Sequence, residues 1–284
     1  MQSARPSRTA LSVALRRAAH QIYDARPLVF DDPIAVRILG PHADLLQRTP
    51  GRNPAYKPRP HSISLRAFLV ARSRYAEDRL AEAVARGATQ YVLLGAGLDT
   101  FAHHNPYSRL RVFEVDHPAT QQWKRELLRE SGLSCPARLT YAPVDFERQS
   151  LAAQLVAEGF DCAAPSFFAW LGVVPYLTRE AFRTTIRFIA AQPSGSGVVF
   201  DYSQPRSALA PNEQRARDSL AERVQLVGED FRSFFTPAEI AAELSNFSSI
   251  EDMGSAEINA RYFAGRTDAL RLHSSAARFV SAWH

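Results

Sequence analysis

The sequence predicts an α/β fold: a doubly wound, Rossmann-like sheet of seven mostly parallel strands with an N-terminal helical cap. Three observations predict it. A short apolar run, YVLL at residues 91–94, ends in a glycine turn made by Gly95, Ala96 and Gly97, the pattern of a buried central strand about to become a helix. A second apolar run, LRVFEV at 110–115, ends on Asp116, 19 residues beyond Gly97, close to the ~20-residue offset at which such a sheet brings a carboxylate to a ribose. Short apolar runs then alternate with helical spacings along the rest of the chain, the order that builds a parallel sheet covered on both faces.

The elements follow in order. Residues 9–24 place Leu11, Ala14, Leu15, Ala18, Ala19 and Ile22 at helical spacing, with Thr9 as the cap. Residues 31–39 open with Asp31 and Asp32, carry Pro33 just inside, and stop at Gly40 and Pro41, which predicts a second helix. The proline-rich stretch 47–60 predicts a surface loop, either a lid or a passive connector. These pieces form a cap over residues 1–62, ahead of a main domain over 63–284. Residues 64–86 carry the strongest helical pattern and end at Gly87. Beyond the glycine turn come a strand at 110–115, a helix at 118–131, a strand at 138–142, a helix after Asp145, a strand at 166–170, a helix at 178–192 and a strand at 197–202. A helix at 211–227 and another opened by the Thr236/Glu239 capping box precede two apolar runs, FSSIEDM at 247–253 and INARYFAG at 258–265, which read as a closing antiparallel pair.

Composition narrows the function. The 284 residues, 46% hydrophobic and 22% charged, suffice for one large core. No apolar run nears the ~20 residues that span a bilayer, and no secretory pattern is present, so no membrane role is expected. Cys135 and Cys162 offer neither a disulfide framework nor metal-ligand spacing; the expectation is a cytoplasmic protein without a bound metal. The net charge of +5 is uneven, with 15 Lys+Arg against 7 Asp+Glu in residues 1–90. A nucleic-acid partner would need that charge interleaved with aromatic platforms; an anionic small molecule, or plain solvation, accounts for it better.

The glycine turn also selects its ligand. A dinucleotide fingerprint needs a third glycine where Thr100 stands. Asp99 enters the turn where a pyrophosphate would lie, and like charges at one helix start repel. A nucleoside cofactor with a cationic centre and no phosphate fits better, so the crevice reads as a site for S-adenosyl-L-methionine. Val144, Asp145 and Phe146 at the end of a third strand supply an acceptor and an apolar wall for an adenine, although Asp145 also reads as a helix cap. The 64–86 helix carries Arg66, Arg72, Arg74 and Arg79, any of which can grip a carboxylate bidentately. His103 and His104 are candidate bases; adjacent histidines rarely point at one ion, which argues against a metal there.

LLGAGLDT, FEVDHP, the 144–146 turn, FFAWLGVVPYLT and VVFDY, in that order, resemble the leucine carboxyl methyltransferase-like family of S-adenosylmethionine-dependent methyltransferases, in particular its bacterial branch. The resemblance runs from about residue 16 to residue 263 and implies the class I methyltransferase sheet. It implies a cofactor site at Arg72 (with Arg74 in reserve), the Gly95–Ala96–Gly97 turn, Asp116, Asp145 and Phe146. It also places Tyr176 near the transferred methyl, where it would orient the acceptor; a half-buried core tyrosine is the plainer alternative. Two positions depart from the family pattern: Phe101 stands for an arginine and Leu171 for a glutamate of the cofactor pocket. The expected activity is methyl transfer to an oxygen, carboxylate or hydroxyl, of a small-molecule acceptor. A protein C-terminal carboxylate, a nicotinamide cofactor and a non-catalytic binding role remain as alternatives at this stage.

Overall fold

The computed structural model describes residues 7–47, 60–145, 149–225 and 230–284. Its strands are β1 (Gln90–Leu94), β2 (Arg111–Asp116), β3 (Leu139–Pro143), β4 (Ser166–Trp170), β5 (Gly197–Ser203), β6 (Ser249–Met253) and β7 (Ala277–Trp283). They form one seven-stranded sheet in the order β3-β2-β1-β4-β5-β7-β6. The first five strands pair in parallel, and β7 runs antiparallel between β5 and β6. The doubly wound, mostly parallel sheet expected from the sequence is therefore present. Strand order reverses between β1 and β4, so the crevice beyond their carboxyl ends is where this architecture binds ligands.

The helices are α1 (Arg8–Tyr23), α2 (Asp44–Gln47), α3 (Pro60–Ala85), α4 (Pro118–Glu130), α5 (Leu151–Ala157), α6 (Arg179–Ala190), α7 (Pro211–Gln225), α8 (Pro237–Glu243) and α9 (Ser255–Tyr262). Successive strand side chains point to opposite faces, and both faces are covered. Tyr91, Leu93, Phe167 and Val199 pack with Val70, Tyr75 and Leu80 of α3 on one side. Val92, Leu94, Phe168 and Phe200 pack with Phe182, Ile186 and Ile189 of α6 on the other. Burial on both faces explains why these strands read as continuous apolar runs. A third cluster joins Ala14, Ala18 and Ala19 of α1 to Leu98 and to Leu127 and Leu128 of α4, so the N-terminal helix is seated on the turn that follows β1.

Several expected elements differ. The 258–265 run is not a strand: the Gly254 N–H donates to the Glu257 carboxylate at 3.0 Å, a helix-start arrangement, and α9 buries Ile258 alone among its residues. The closing strand is β7. The expected helix at 31–39 is a turn followed by a 3-10 segment, Arg37–Ala43; the Asp32 carboxylate does accept the Ile34 N–H at 3.1 Å, as a cap would, but its other bonds lie elsewhere. Ser7 caps α1 in place of Thr9, and Ser150 caps α5 in place of Asp145. The Thr236/Glu239 capping box is as expected. Residues 48–59 of the expected lid or connector lie outside the described residues.

Candidate functional site

A cavity of about 600 Å³ opens at the carboxyl ends of β1, β4 and β5, roofed by α1, α3 and α7. Its floor is the glycine turn. The Gly95 and Ala96 N–H groups both donate to the Val115 carbonyl, at 2.8 and 3.0 Å. Gly95 has φ +70°, and a Cβ there would lie 2.4 Å from Val173 Cγ2, so only glycine fits. Asp116 locks the turn from β2: its Oδ2 accepts the Gly97 N–H at 2.6 Å and its Oδ1 the His117 N–H at 2.7 Å. Burial pushes the Asp116 carboxyl above its ordinary pKa, and these two donors pull it part of the way back. Each oxygen keeps further acceptor capacity. Asp99 lines the same wall, with Oδ1 accepting the Phe101 N–H at 2.8 Å and Oδ2 3.8 Å from Arg17 Nη1.

Arg72 reaches into the cavity from α3 and meets Asp201 at the end of β5. Its Nη1 lies 3.3 and 3.2 Å from the two carboxylate oxygens, and Asp201 Oδ1 also accepts the Gly172 N–H at 2.5 Å. A Cβ on Gly172, whose φ is +72°, would stand 2.5 Å from Arg72 Nη1, so the loop after β4 is shaped around the guanidinium. The Arg72 Nε is buried without a hydrogen-bond partner among the described residues. A second buried arginine, Arg17 of α1, is bonded to Asp32, donates to Thr100 Oγ1 at 2.5 Å and lies 3.4 Å from the Leu98 carbonyl. It ties the N-terminal segment to the glycine turn.

Tyr176 lines the opposite end, its ring 5.2 Å from that of Phe231. The loop that carries it is held by residues 231–235: Ser233 Oγ donates to the Val174 carbonyl at 2.8 Å and the Arg232 N–H to the Pro175 carbonyl at 2.6 Å. Phe231, Phe234 and Arg217 of α7 complete this end. Leu171 lines the cavity as an apolar surface. Phe101 turns into the core instead, its ring 5.0 Å from Tyr91.

The structure thus gathers Arg72, Gly95, Ala96, Gly97, Asp116 and Tyr176 around one cavity. It sets the other candidates apart. His103 and His104 lie behind the turn and do not line the cavity. His104 Nε2 is 3.1 Å from Glu77 Oε1; burial works against its charged form, but Glu77 outweighs that and raises its pKa. Burial, aided by Lys124, pushes His103 down to about 4. Arg74 pairs with Asp78 at 2.7 Å on the outer side of α3. Asp145 follows β3, away from the cavity lining; its N–H donates to Gln149 Oε1 and its carbonyl accepts the Gln149 N–H, both at 2.9 Å. Phe146 lies outside the described residues. Asp201, Arg17 and Arg217 were not among the expected site residues. For Asp201 a signal existed, a lone acid closing the apolar run GVVF.

Known proteins point the same way. The profile of the family described as leucine carboxyl methyltransferase matches residues 10–190. Over 295 aligned residues the chain is 34% identical to the Bacillus subtilis protein named "Putative S-adenosyl-L-methionine-dependent methyltransferase YktD", with 95% of each chain covered. Among solved structures, a DUF574 family protein from Streptomyces avermitilis gives a TM-score of 0.55 at 17% identity over 96% of both chains. A "putative methyltransferase" from Thermobifida fusca gives 0.56 at 15% identity, covering 98% of this chain and 95% of the other. Those two likenesses speak for the fold alone.

Proposed function

The chain belongs to the leucine carboxyl methyltransferase family, and on that premise we propose that it is an S-adenosyl-L-methionine-dependent methyltransferase acting on an oxygen of a small-molecule acceptor in the cytoplasm. The observation that carries this reading is the pairing of an acid-flanked glycine turn with Arg72, a buried guanidinium whose Nε has no hydrogen-bond partner among the described residues. The donor set fits the cofactor. Asp116 keeps acceptor capacity for a ribose diol, and the unpaired Arg72 Nε suits the methionyl carboxylate. The loop 171–173 bears on the turn. The adenine we assign, on the family resemblance, to Asp145 and Phe146; Asp145 lies outside the cavity lining beyond β3, the strand next to the one that carries Asp116.

When bound there, the cofactor supplies an electrophilic methyl group on a sulfonium. The protein supplies position. Tyr176, on a loop fixed by Ser233, orients the acceptor; alignment of this kind lowers a barrier by up to ~7–11 kcal/mol when the reacting atoms lie ~3–3.5 Å apart. Leu171, Phe231 and Phe234 exclude water. A carboxylate acceptor is ionised at pH 7 and needs no base, and the proposal gives His103 and His104 no proton transfer.

Titration calorimetry tests the reading. S-adenosylhomocysteine is expected to bind and NAD to give no heat, after which a metabolite screen with labelled methyl donor identifies acceptors. Binding of the dinucleotide with none of the adenosyl compound would sink the assignment.

A further inference from the structure

The acceptor end of the cavity carries an arginine that makes no hydrogen bond among the described residues. Four arginines line the cavity: Arg16, Arg17, Arg72 and Arg217. Arg16 donates to the Ser12 carbonyl at 2.8 Å, Arg17 is bound to Asp32, and Arg72 to Asp201. Arg217 differs. Its guanidinium carbon lies over Phe234, 4.1 Å from the ring centroid, and it makes no hydrogen bond among the described residues. Among the described residues its ion-pair partner is Asp218, at 4.0 Å, which also pairs with Arg206, whose Nε is 3.1 Å away. The Arg217 side chain is only 16% exposed, and its Nε is buried without a partner. Burial lowers its pKa from the ordinary arginine value; Asp218 opposes that shift and Arg206 adds to it.

The surroundings say what sort of anion. The Tyr176 ring lies 5.2 Å from Phe231, Phe231 packs edge-on against Phe234 at 6.4 Å, and Arg217 covers Phe234. Three rings therefore form a wall that begins at Tyr176 and ends under the guanidinium. Buried donors without partners discriminate strongly between ligands that satisfy them and those that do not. The rings are turned 43° and 82° from one another, so an aromatic ligand meets them in edge-to-face contacts rather than on one flat face. The guanidinium fork takes a carboxylate bidentately.

We infer that Arg217 is the specificity-determining residue of this cavity, binding the carboxylate of an aromatic acid whose ring lies along Phe234 and Phe231. Its methyl-accepting oxygen, a phenolate whose proton has passed to water before the methyl–sulfur bond breaks and the oxygen–methyl bond forms, then sits at the other end, beside Tyr176. This rests on the methyltransferase reading and goes beyond it, since it gives the acceptor two functional ends: an acid for recognition and a separate oxygen for reaction. Arg217 does not touch the transferred group.

The test uses 6-hydroxy-2-naphthoate and its neutral 2-carboxamide, rigid fluorescent probes with a hydroxyl opposite the tested group. Both are titrated into the full chain saturated with S-adenosylhomocysteine. The acid is expected to bind at least tenfold tighter than the amide, about 1.4 kcal/mol. Arg217→Gln should erase that preference while leaving the amide and S-adenosylhomocysteine affinities unchanged, and Arg217→Lys should restore part of it. Equal binding of acid and amide by the wild type, binding of neither, or an undiminished preference in Arg217→Gln overturns the inference. The wild-type comparison needs no variant, so a misfolded substitution does not shelter the idea. If S-adenosylhomocysteine itself fails to bind, the methyltransferase reading falls; if it binds and the acid preference is missing, only the present inference does.

Discussion

Replacing Asp201 with asparagine separates an arginine that is merely paired from one that waits for a ligand. Asp201 and Arg72 are 4% and 7% exposed, and Asp201 also holds the Gly172 N–H at 2.5 Å. The amide oxygen of Asp201→Asn still accepts that N–H, so the change removes charge more than shape. A buried guanidinium stripped of its carboxylate costs about 3–5 kcal/mol; at ~2–4 °C per kcal/mol for a chain of this size the melting point falls by about 6–20 °C. The same change makes Arg72 a stronger receptor for an anion. On the proposed assignment S-adenosylhomocysteine brings a carboxylate to Arg72, whereas adenosine has none to bring. If its affinity rises tenfold, then at a concentration of 100 wild-type Kd its stabilisation grows from about 2.7 to about 4.1 kcal/mol, a further ~3–6 °C. Adenosine should stabilise both proteins alike. Thermal-shift titrations of wild type and Asp201→Asn with both ligands decide the matter. An equal gain for the two ligands would refute the assignment of Arg72 to the carboxylate, and an unchanged melting point without ligand would refute the buried pair itself.

Gly95→Ala should lose about 1–2 kcal/mol to its left-handed backbone and about 1–3 kcal/mol to the 2.4 Å clash with Val173; adding Val173→Ala removes the clash component only, which urea unfolding of the three variants resolves. Arg17→Leu strands the buried Asp32 carboxylate, at about 3–5 kcal/mol, and should weaken S-adenosylhomocysteine binding by loosening α1 from Leu98 and Thr100; Arg17→Leu combined with Asp32→Leu should regain most of the stability and none of the binding, as calorimetry would report. His103 is held at about 4 in the folded chain against ~6.5 when unfolded. The unfolded state therefore binds the extra proton between these values, and stability falls as pH drops from about 6.5 toward 4. His103→Gln should flatten that part of a melting-point-against-pH curve, and an unaltered curve would place the titration elsewhere.

Much of this fold was legible because its central strands are buried on both faces. YVLL, FFAW and GVVF have no solvent-facing positions to interrupt them, so composition alone marks them. The closing strand resists such reading. In ARFVSAW, Arg278 is bonded to Asp252 at 2.8 Å and Ser281 accepts the Tyr75 hydroxyl at 2.9 Å; polar side chains satisfied by distant partners break the apolar pattern. INARYFAG misleads in the opposite sense, because Asn259 is taken up by the Leu272 backbone and Glu257 closes the helix start. The site divides in the same way. Gly95, Gly97 and Asp116 form a local unit with fixed spacing. Asp201 has its meaning only through Arg72, 129 residues earlier, and Arg217 only through Phe234.

The charge layout of the cavity follows from these pairings. Arg17 and Arg72 are matched by Asp32 and Asp201, which leaves Asp99 and Asp116 as the charges that a ligand at the glycine turn meets. Two unit charges at ~4 Å interact by ~4 kcal/mol at an effective dielectric of 20, so a pyrophosphate there faces repulsion of that order from Asp99, while a sulfonium gains by it. At the other end the imbalance is reversed, since Arg217 faces an aromatic wall and a carboxylate already shared with Arg206. One cavity therefore favours a cationic partner at the turn and an anionic one at the wall, with the reacting atoms between them. On the proposed reading, Asp99 and Asp116 would hold the cationic cofactor more firmly than its neutral thioether product.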